Sequence, residues 1–593
     1  EKKLIGKTLE NIRIKPYYTA EDLTDLPYTD ILPGKYPFIR GDKTGSNAWE
    51  IRQDFRVTDI ESAVALARMA VERGATSVGF DLTGKGDLYF HDFRNLITGL
   101  AGRNISINFL GGEGSQDLLD YLLKFLEESG MPSVSVKGSL EYDPLGQLTL
   151  TSGFYHSAEE DFSRADALLL TAENELPQFR VLSVNSHLFS DSSATLVQEL
   201  AFGLAMAAEI LTRLTDMGHS ATDITRHLQW NLGVGSDYFM EIAKIRAARL
   251  LYSGLLTGFE SDHNRHVPVY IHSITTNWNK TLYDPHVNML RLTTEAMAAV
   301  IGGCNSLLVK PYDACYRDPN EFSERIARNI QIILKEEAYL DKVVDPAAGA
   351  YYVESLTDAL VEHAWQLFLK VDERGGYLKA FTDGFIQEEV GKTMVRRSDR
   401  VSARHEVLVG TNQYPNFREP PAEQVIPDIA FHRPPEHHKQ VAEPLRMRRA
   451  AEPFEKLRLA VENHSAGRPK VFMLTYGNLA MRLARSQFSC NFFACAGYEV
   501  IDNLGFQSAR EGVDAALQAN ASIIVVCSSD EEYLQIAPEV VSLVAGKAIV
   551  VVAGAPASME ELKQKGITEF IHVRSNVLET LNHFHAKLGI RDK

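Results

Sequence analysis

Between about residue 56 and residue 390 the spacing of hydrophobic positions switches repeatedly between two rhythms. Short apolar runs alternate with longer stretches in which apolar residues recur every three or four positions. The runs Ser77–Leu82, Ile105–Gly111, Ser133–Ser139, Gln178–Asn185, Val267–Ile274 and Asn305–Lys310 read as six strands. Asp59–Arg73, Gln116–Ser129, Ser193–Met217, Asp237–Tyr252 and Glu321–Ala338 read as amphipathic helices. Strand–helix alternation on this scale predicts an α/β fold with a parallel sheet, and the length suits a closed (β/α)8 barrel. Six strands are visible and eight are needed, so closure is an inference from the architecture.

The rhythm breaks over residues 391–467, where Pro415, Pro420, Pro421, Pro427, Pro434 and Pro435 crowd a charged stretch ahead of a helical pattern at Val441–Val461. This segment reads as a linker long enough to wrap the barrel. Beyond it, Val471–Thr475, Glu499–Asn503, Ser522–Cys527, Ala548–Ala553 and Glu569–Val573 form five strand candidates separated by helical runs. That predicts a small doubly wound, flavodoxin-like domain, whose ligands would lie at the carboxyl ends of the strands, around Tyr476–Arg482 and Ser528–Asp530. The predicted organisation is an arm (1–35), a barrel (36–390), the linker (391–467) and a C-terminal domain (468–593). The arm has no obvious core; Pro16, Tyr17 and Tyr18 precede Thr19-Ala-Glu-Asp22, a capped helix start suited to an interface element.

At 593 residues the chain needs more than one core. A net charge of −17 argues against nucleic acid as a partner. The basic run Arg446-Met-Arg448-Arg449 reads as a solvated helix face. Five cysteines without CxxC spacing fit a reducing compartment and offer no zinc site. No apolar run approaches a membrane span, so the cytoplasm is the expected location.

Several stretches, in order, resemble the methylmalonyl-CoA mutase family over nearly the whole chain. They are Ile14-Lys-Pro-Tyr-Tyr-Thr-Ala-Glu-Asp22, Tyr36-Pro-Phe-Ile-Arg-Gly41 with Trp49-Glu-Ile-Arg-Gln53, Glu295-Ala-Met-Ala-Ala299, Phe322-Ser-Glu-Arg-Ile-Ala-Arg-Asn329 with Gln331, Val344-Asp-Pro-Ala-Ala-Gly349 with Tyr351-Tyr-Val-Glu354, and Gly410-Thr-Asn-Gln-Tyr414. The resemblance implies a TIM barrel followed by a cobalamin-binding-type domain. It also implies a radical rearrangement of an acyl-CoA, with adenosylcobalamin clamped between the two and a His ligating cobalt.

Against that pattern four sets of residues depart. The family's Asp-x-His-x-x-Gly loop corresponds to Gly477–Arg482, with Gly477 and Asn478 where ligand residues are expected and no imidazole or carboxylate. The nearest histidine, His464, lies in the linker. The tail-binding Ser-x-Leu and Gly-Gly correspond to Ser528-Ser529-Asp530 and Gly554-Ala555, where an Asp and an added Cβ would obstruct a nucleotide tail. The His that holds the thioester oxygen aligns with Leu188, and His187 stands one place early. The Thr-x-Tyr insertion is absent from Asp42–Ala48, and Leu140–Gly153 lacks the Gln and Arg that contact substrate.

The resemblance therefore implies a non-catalytic subunit that binds no cofactor or metal, paired as a heterodimer with a homologous large subunit bearing the adenosylcobalamin. Small polar residues on the barrel strands (Ser106, Ser183, Asn185, Ser273, Thr275, Thr276, Ser306) suit an axial channel for a pantetheine arm, or its relic. Two other readings stand beside this one. One is a self-sufficient mutase with an atypical cofactor site that relies on His187. The other is a TIM-barrel lyase with a regulatory C-terminal domain, using Asp81, Lys310 and Asp313. Gly111-Gly112-Glu113-Gly114 reads as a plain βα turn.

Overall fold

The alternation in the first two thirds of the chain closes into a ring of eight parallel strands. The computed structural model describes residues 4–86, 88–420, 424–431 and 441–591, so Pro421, Pro434 and Pro435 of the linker lie outside the described residues. The strands are β1 (Glu50–Arg56), β2 (Ser77–Asp81), β3 (Ser106–Leu110), β4 (Lys137–Tyr142), β5 (Phe179–Asn185), β6 (Leu228–Val234), β7 (Tyr270–Thr275) and β8 (Ser306–Leu308). β8 pairs with both β1 and β7, which closes the barrel.

β1 and β6 are the two strands the hydrophobic pattern does not reveal. The strand read at Ser133–Ser139 is displaced: Pro132 leads into a 3-10 turn at Ser133–Ser135, and β4 runs from Lys137 to Tyr142 with an irregularity between Ser139 and Tyr142.

Helix boundaries follow local capping chemistry. Asp59 accepts from the Ser62 N–H at the start of Ile60–Glu72, and Thr195 and Gln198 form a reciprocal box at the start of Leu196–Asp216. Leu196–Asp216, Tyr238–Thr257 and Tyr351–Asp372 pack on one another and on the barrel. The arm folds back on this layer. Its strands Gly6–Lys7 and Arg13–Ile14 pair, the Tyr18 ring lies 5.1 Å from that of Tyr352, and Tyr28 donates to Asp358.

The helix Phe385–Ser402 runs through position 391, so the start of the stretch read as linker is helical. The pattern at Val441–Val461 is only partly a helix, which spans Glu452–Glu462. Residues 441–450 instead cross the carboxyl-end face of the barrel as an extended strap. Val441 N–H donates to the Ser152 carbonyl at 2.9 Å, Leu445 to Thr149 at 3.0 Å, Arg448 to Asp191 at 2.8 Å and Ala450 to Trp278 at 2.8 Å. The strap thereby ties together the segments that follow β4, β5 and β7. Arg449 locks it, paired with Glu455 at 2.6 Å and donating to the carbonyls of Lys280 and Ala430.

The C-terminal domain is a five-stranded parallel sheet: β9 (Lys470–Thr475), β10 (Glu499–Ile501), β11 (Ile523–Cys527), β12 (Ile549–Ala553) and β13 (Glu569–Ile571). Their order, β10-β9-β11-β12-β13, is that of a flavodoxin-like sheet. β11 is buried throughout and β12 from Val551 to Ala553, and both are rich in Val and Ile, as a sheet covered on both faces requires.

Candidate functional site

Two places follow from the fold: the barrel axis with its carboxyl-end mouth, and the carboxyl edge of the C-terminal sheet. The strand registers point Glu50, Arg52, Asp54, Ser77, Gly79, Ser106, Asn108, Ser139, Gln229, Asn231, Tyr270, His272 and Ser306 to one side, the inside of the ring. These side chains fill the axis and bond to one another. Arg52 pairs with Asp54 and with Glu141, each at 2.7 Å. Asn231 donates to Glu141 at 3.1 Å and to Asn185 at 2.6 Å, and Gln229 donates to Asn231 at 2.9 Å. Asn108 bridges Ser77 and Ser139, while the Arg180 guanidinium lies 3.6 Å from the centre of the Tyr270 ring.

Bare backbone at Gly79 makes the room: a Cβ there would lie 2.1 Å from the Asp54 carboxylate. Arg52, Asn108, Ser139, Gln229, Asn231 and His272 are all buried. Of the polar residues suggested as channel lining, Ser106 bonds to Glu50 at 2.7 Å and Asn185 joins the network. Ser273 lies on the opposite face of β7 from His272.

Above the network, Leu188 and His187 sit in the one-turn helix His187–Asp191 that follows β5. Leu188 is buried. The His187 Nδ1 is buried and has no partner among the described residues. Burial holds its pKa down to about 4, with the Lys310 charge adding to the depression, so the ring is neutral at pH 7. His272 is depressed too, by burial and by Arg52. Asp81, Lys310 and Asp313 do not form a cluster. Asp81 accepts from the Thr83 N–H, Lys310 faces Asp191 at 3.3 Å, and buried Asp313 pairs with Arg317 at 2.9 Å.

At the sheet edge, the loops holding Gly477, Asn478, Ser528, Ser529, Asp530, Gly554 and Ala555 converge. A residue not foreseen from the sequence, Glu532, joins the first two loops. Its carboxylate accepts from the Ser528 hydroxyl, from the Ser529 hydroxyl at 3.0 Å and N–H at 3.2 Å, and from the Asn478 N–H at 3.4 Å. Those bonds, that of Ser528 first, hold the Glu532 carboxyl below its usual range. Ser529-x-x-Glu532 is a capping-box spacing, the local signal that marks this residue.

Directly after β9, Asn478 caps the helix Leu479–Ala494 through the Met481 N–H, so helix begins where the family's ligand loop would extend. Tyr533, fully buried, lies beneath Ser528 and donates to the Ala553 carbonyl at 2.6 Å. Arg485 pairs with Asp530 at 3.0 Å. A Cβ on Gly554 would stand 3.3 Å from both Asp530 and Tyr533 and 3.4 Å from Arg485, so the space above that glycine is already lined by the chain's own side chains.

The profile described as methylmalonyl-CoA mutase matches residues 7–86 and 89–476. The chain belongs to the methylmalonyl-CoA mutase family. Its members are cobalamin-dependent isomerases. It is similar to a protein of Porphyromonas gingivalis named methylmalonyl-CoA mutase small subunit, 44% identical over 100% of this chain and 95% of that one. A Streptomyces virginiae protein of the same name is 29% identical over 90% of this chain and 84% of its own length. A protein of Cereibacter sphaeroides named methylmalonyl-CoA mutase is 32% identical over 71% of this chain and 64% of its own length.

The described residues hold no cluster of three or more His, Cys, Asp or Glu that suits a metal ion. Around Gly554 the edge is lined by Tyr533, Arg485 and Asp530. No helix among the described residues is long and apolar enough to cross a membrane.

Proposed function

We propose that this chain is the non-catalytic small subunit of a heterodimeric methylmalonyl-CoA mutase, which interconverts methylmalonyl-CoA and succinyl-CoA. A homologous large subunit carries the adenosylcobalamin and the reacting centre; this chain stabilises it and fixes its domain arrangement, in the cytoplasm. The arm (1–35) serves the subunit interface. The observation that carries the reading is the self-filled cofactor edge, where Tyr533 bonds to Ala553 and Arg485–Asp530 lies over Gly554. The ion-paired barrel axis supports it, since a pantetheine arm would have to displace Arg52 from both its carboxylates.

No catalytic role falls to Leu188 or His187: one is an alkyl side chain, and the other is a buried imidazole without a partner at Nδ1. Titration of the purified chain with cobalamin, followed by absorbance, tests this. The expected result is no binding alone, and a defined heterodimer with mutase activity only after the large homologue is added. Tight binding by this chain alone would overturn it.

A further inference from the structure

At the amino end of the barrel, opposite the mouth described above, a cleft of about 420 Å³ opens beside the loop 42–48. Its floor is the start of the packed axis, at Glu50, Ser106 and Tyr270, so a molecule that enters it stops there. Three amines line the cleft, those of Lys43, Lys137 and Lys335. Against them stands the single carboxylate of Glu50, already engaged by the Ser106 hydroxyl at 2.7 Å. The cleft therefore draws anions.

The three amines are not equivalent. Lys335 faces Glu336 at 3.8 Å, and Lys137 donates to the Asn104 side chain at 3.1 Å. Lys43 is half-buried, and its Nζ donates to the main-chain carbonyl of Cys304 at 2.6 Å. Among the described residues no carboxylate stands within ion-pair distance of it. The buried Arg249 guanidinium donates to the neighbouring carbonyls of Gly302 and Gly303, so a second cation shares the same segment. Burial, with the Arg249 charge adding to it, pulls the Lys43 amine down to about 8. A lysine placed in this way carries a usable neutral fraction near pH 7 and is a nucleophile.

We propose that Lys43 is an acylation site that takes the acyl group of an acyl-CoA thioester, the class of compound named in this family's own description. Lys137 and Lys335 draw the anionic donor to the cleft, and the closed floor keeps its thioester beside the Lys43 amine. The unprotonated nitrogen attacks the thioester carbonyl carbon. The C–N bond forms, the C–S bond breaks, and the CoA thiolate leaves with the proton that the nitrogen sheds. The resulting amide has no charge and a single N–H, which weakens the tie between the loop and the Cys304 carbonyl ahead of β8.

The inference rests on the family's acyl-CoA chemistry and not on the small-subunit reading. Its test is incubation of the full chain with acetyl-CoA near pH 8, quenched early, with the acetylation of each lysine followed by peptide mass spectrometry. Lys43 is expected to react about tenfold or more faster than Lys335, and than Lys563 on the C-terminal domain. In urea the preference disappears, because the cleft and the buried amine are lost. S-acetyl-N-acetylcysteamine, the same thioester without phosphates, labels Lys43 about tenfold more slowly than acetyl-CoA does. Any one of three results sinks the proposal: Lys43 labelled no faster than Lys335, a preference that persists in urea, or equal labelling of Lys43 by the two thioesters.

Discussion

The phenolic hydroxyl of Tyr533 donates to the carbonyl oxygen of Ala553 across 2.6 Å, tying the helix after β11 to the end of β12. The same oxygen accepts the Ser528 N–H at 3.2 Å, so one side chain serves two backbone groups beneath the cofactor edge. Tyr533→Phe leaves both unpaired and is expected to cost about 1–3 kcal/mol. Tyr533→Ala adds a cavity and costs about 3–5 kcal/mol. Urea unfolding measures both, and neither variant gains a cobalamin absorbance change.

Arg52 is the single cation between Asp54 and Glu141 in the buried barrel axis. Arg52→Met strands two carboxylates and is expected to destabilise the chain by about 3–5 kcal/mol. Adding Asp54→Asn and Glu141→Gln in the same chain recovers most of the loss. Chemical denaturation of the single and triple variants checks the coupling.

Glu324 packs against Gln53, with Asp313 and Asp54 nearby, and burial pushes its carboxyl up to about 7. A raised folded pKa means the contribution to stability is full below the unfolded value of about 4.3 and is lost as pH rises through 7. Glu324→Gln is therefore expected to be near neutral at pH 4 and to stabilise the chain at pH 8 by up to about 3 kcal/mol. His187 runs the other way. Its folded pKa of about 4 lies below the unfolded value, so stability is full above about 6.5 and falls as pH drops toward 4. His187→Gln flattens that fall by up to about 3 kcal/mol, read from unfolding midpoints at pH 7 and pH 4.5.

Asn412 is fully buried, accepts the Leu408 N–H at 2.7 Å and donates to the Val401 and Glu406 carbonyls at 2.8 and 2.9 Å. Asn412→Ala is expected to cost about 2–3 kcal/mol. Limited proteolysis reads the effect as faster cleavage between 403 and 417, ahead of any change in the barrel.

Where the sequence was hard to read, the barrel's polar filling is the reason. β1 and β6 carry Glu50, Arg52 and Asp54, and Gln229 and Asn231, on their inward faces, with Ile51, Phe55, Leu228, Trp230 and Leu232 outward. A parallel strand buried on both sides is expected to be continuously apolar. These two alternate, because the interior they face is a polar network. In the C-terminal sheet β9, β11 and β12 are largely buried and legible from their apolar runs. At the candidate site, the missing imidazole was visible as an absence at Gly477–Arg482. What occupies the space was not, because the Glu532–Asn478 and Arg485–Asp530 contacts join residues about fifty positions apart.

The closed edge of the C-terminal sheet is held shut at more than one point. Restoring a histidine near Asn478 alone would place it on a helix that starts at Leu479, with the tail groove still filled. Removing Tyr533 alone opens a hole and takes the donor from the Ala553 carbonyl, and removing Arg485 alone leaves Asp530 at the same edge. Opening this edge therefore takes several substitutions together, because the helix start at Asn478, the Tyr533–Ala553 bond and the Arg485–Asp530 pair are three separate obstacles.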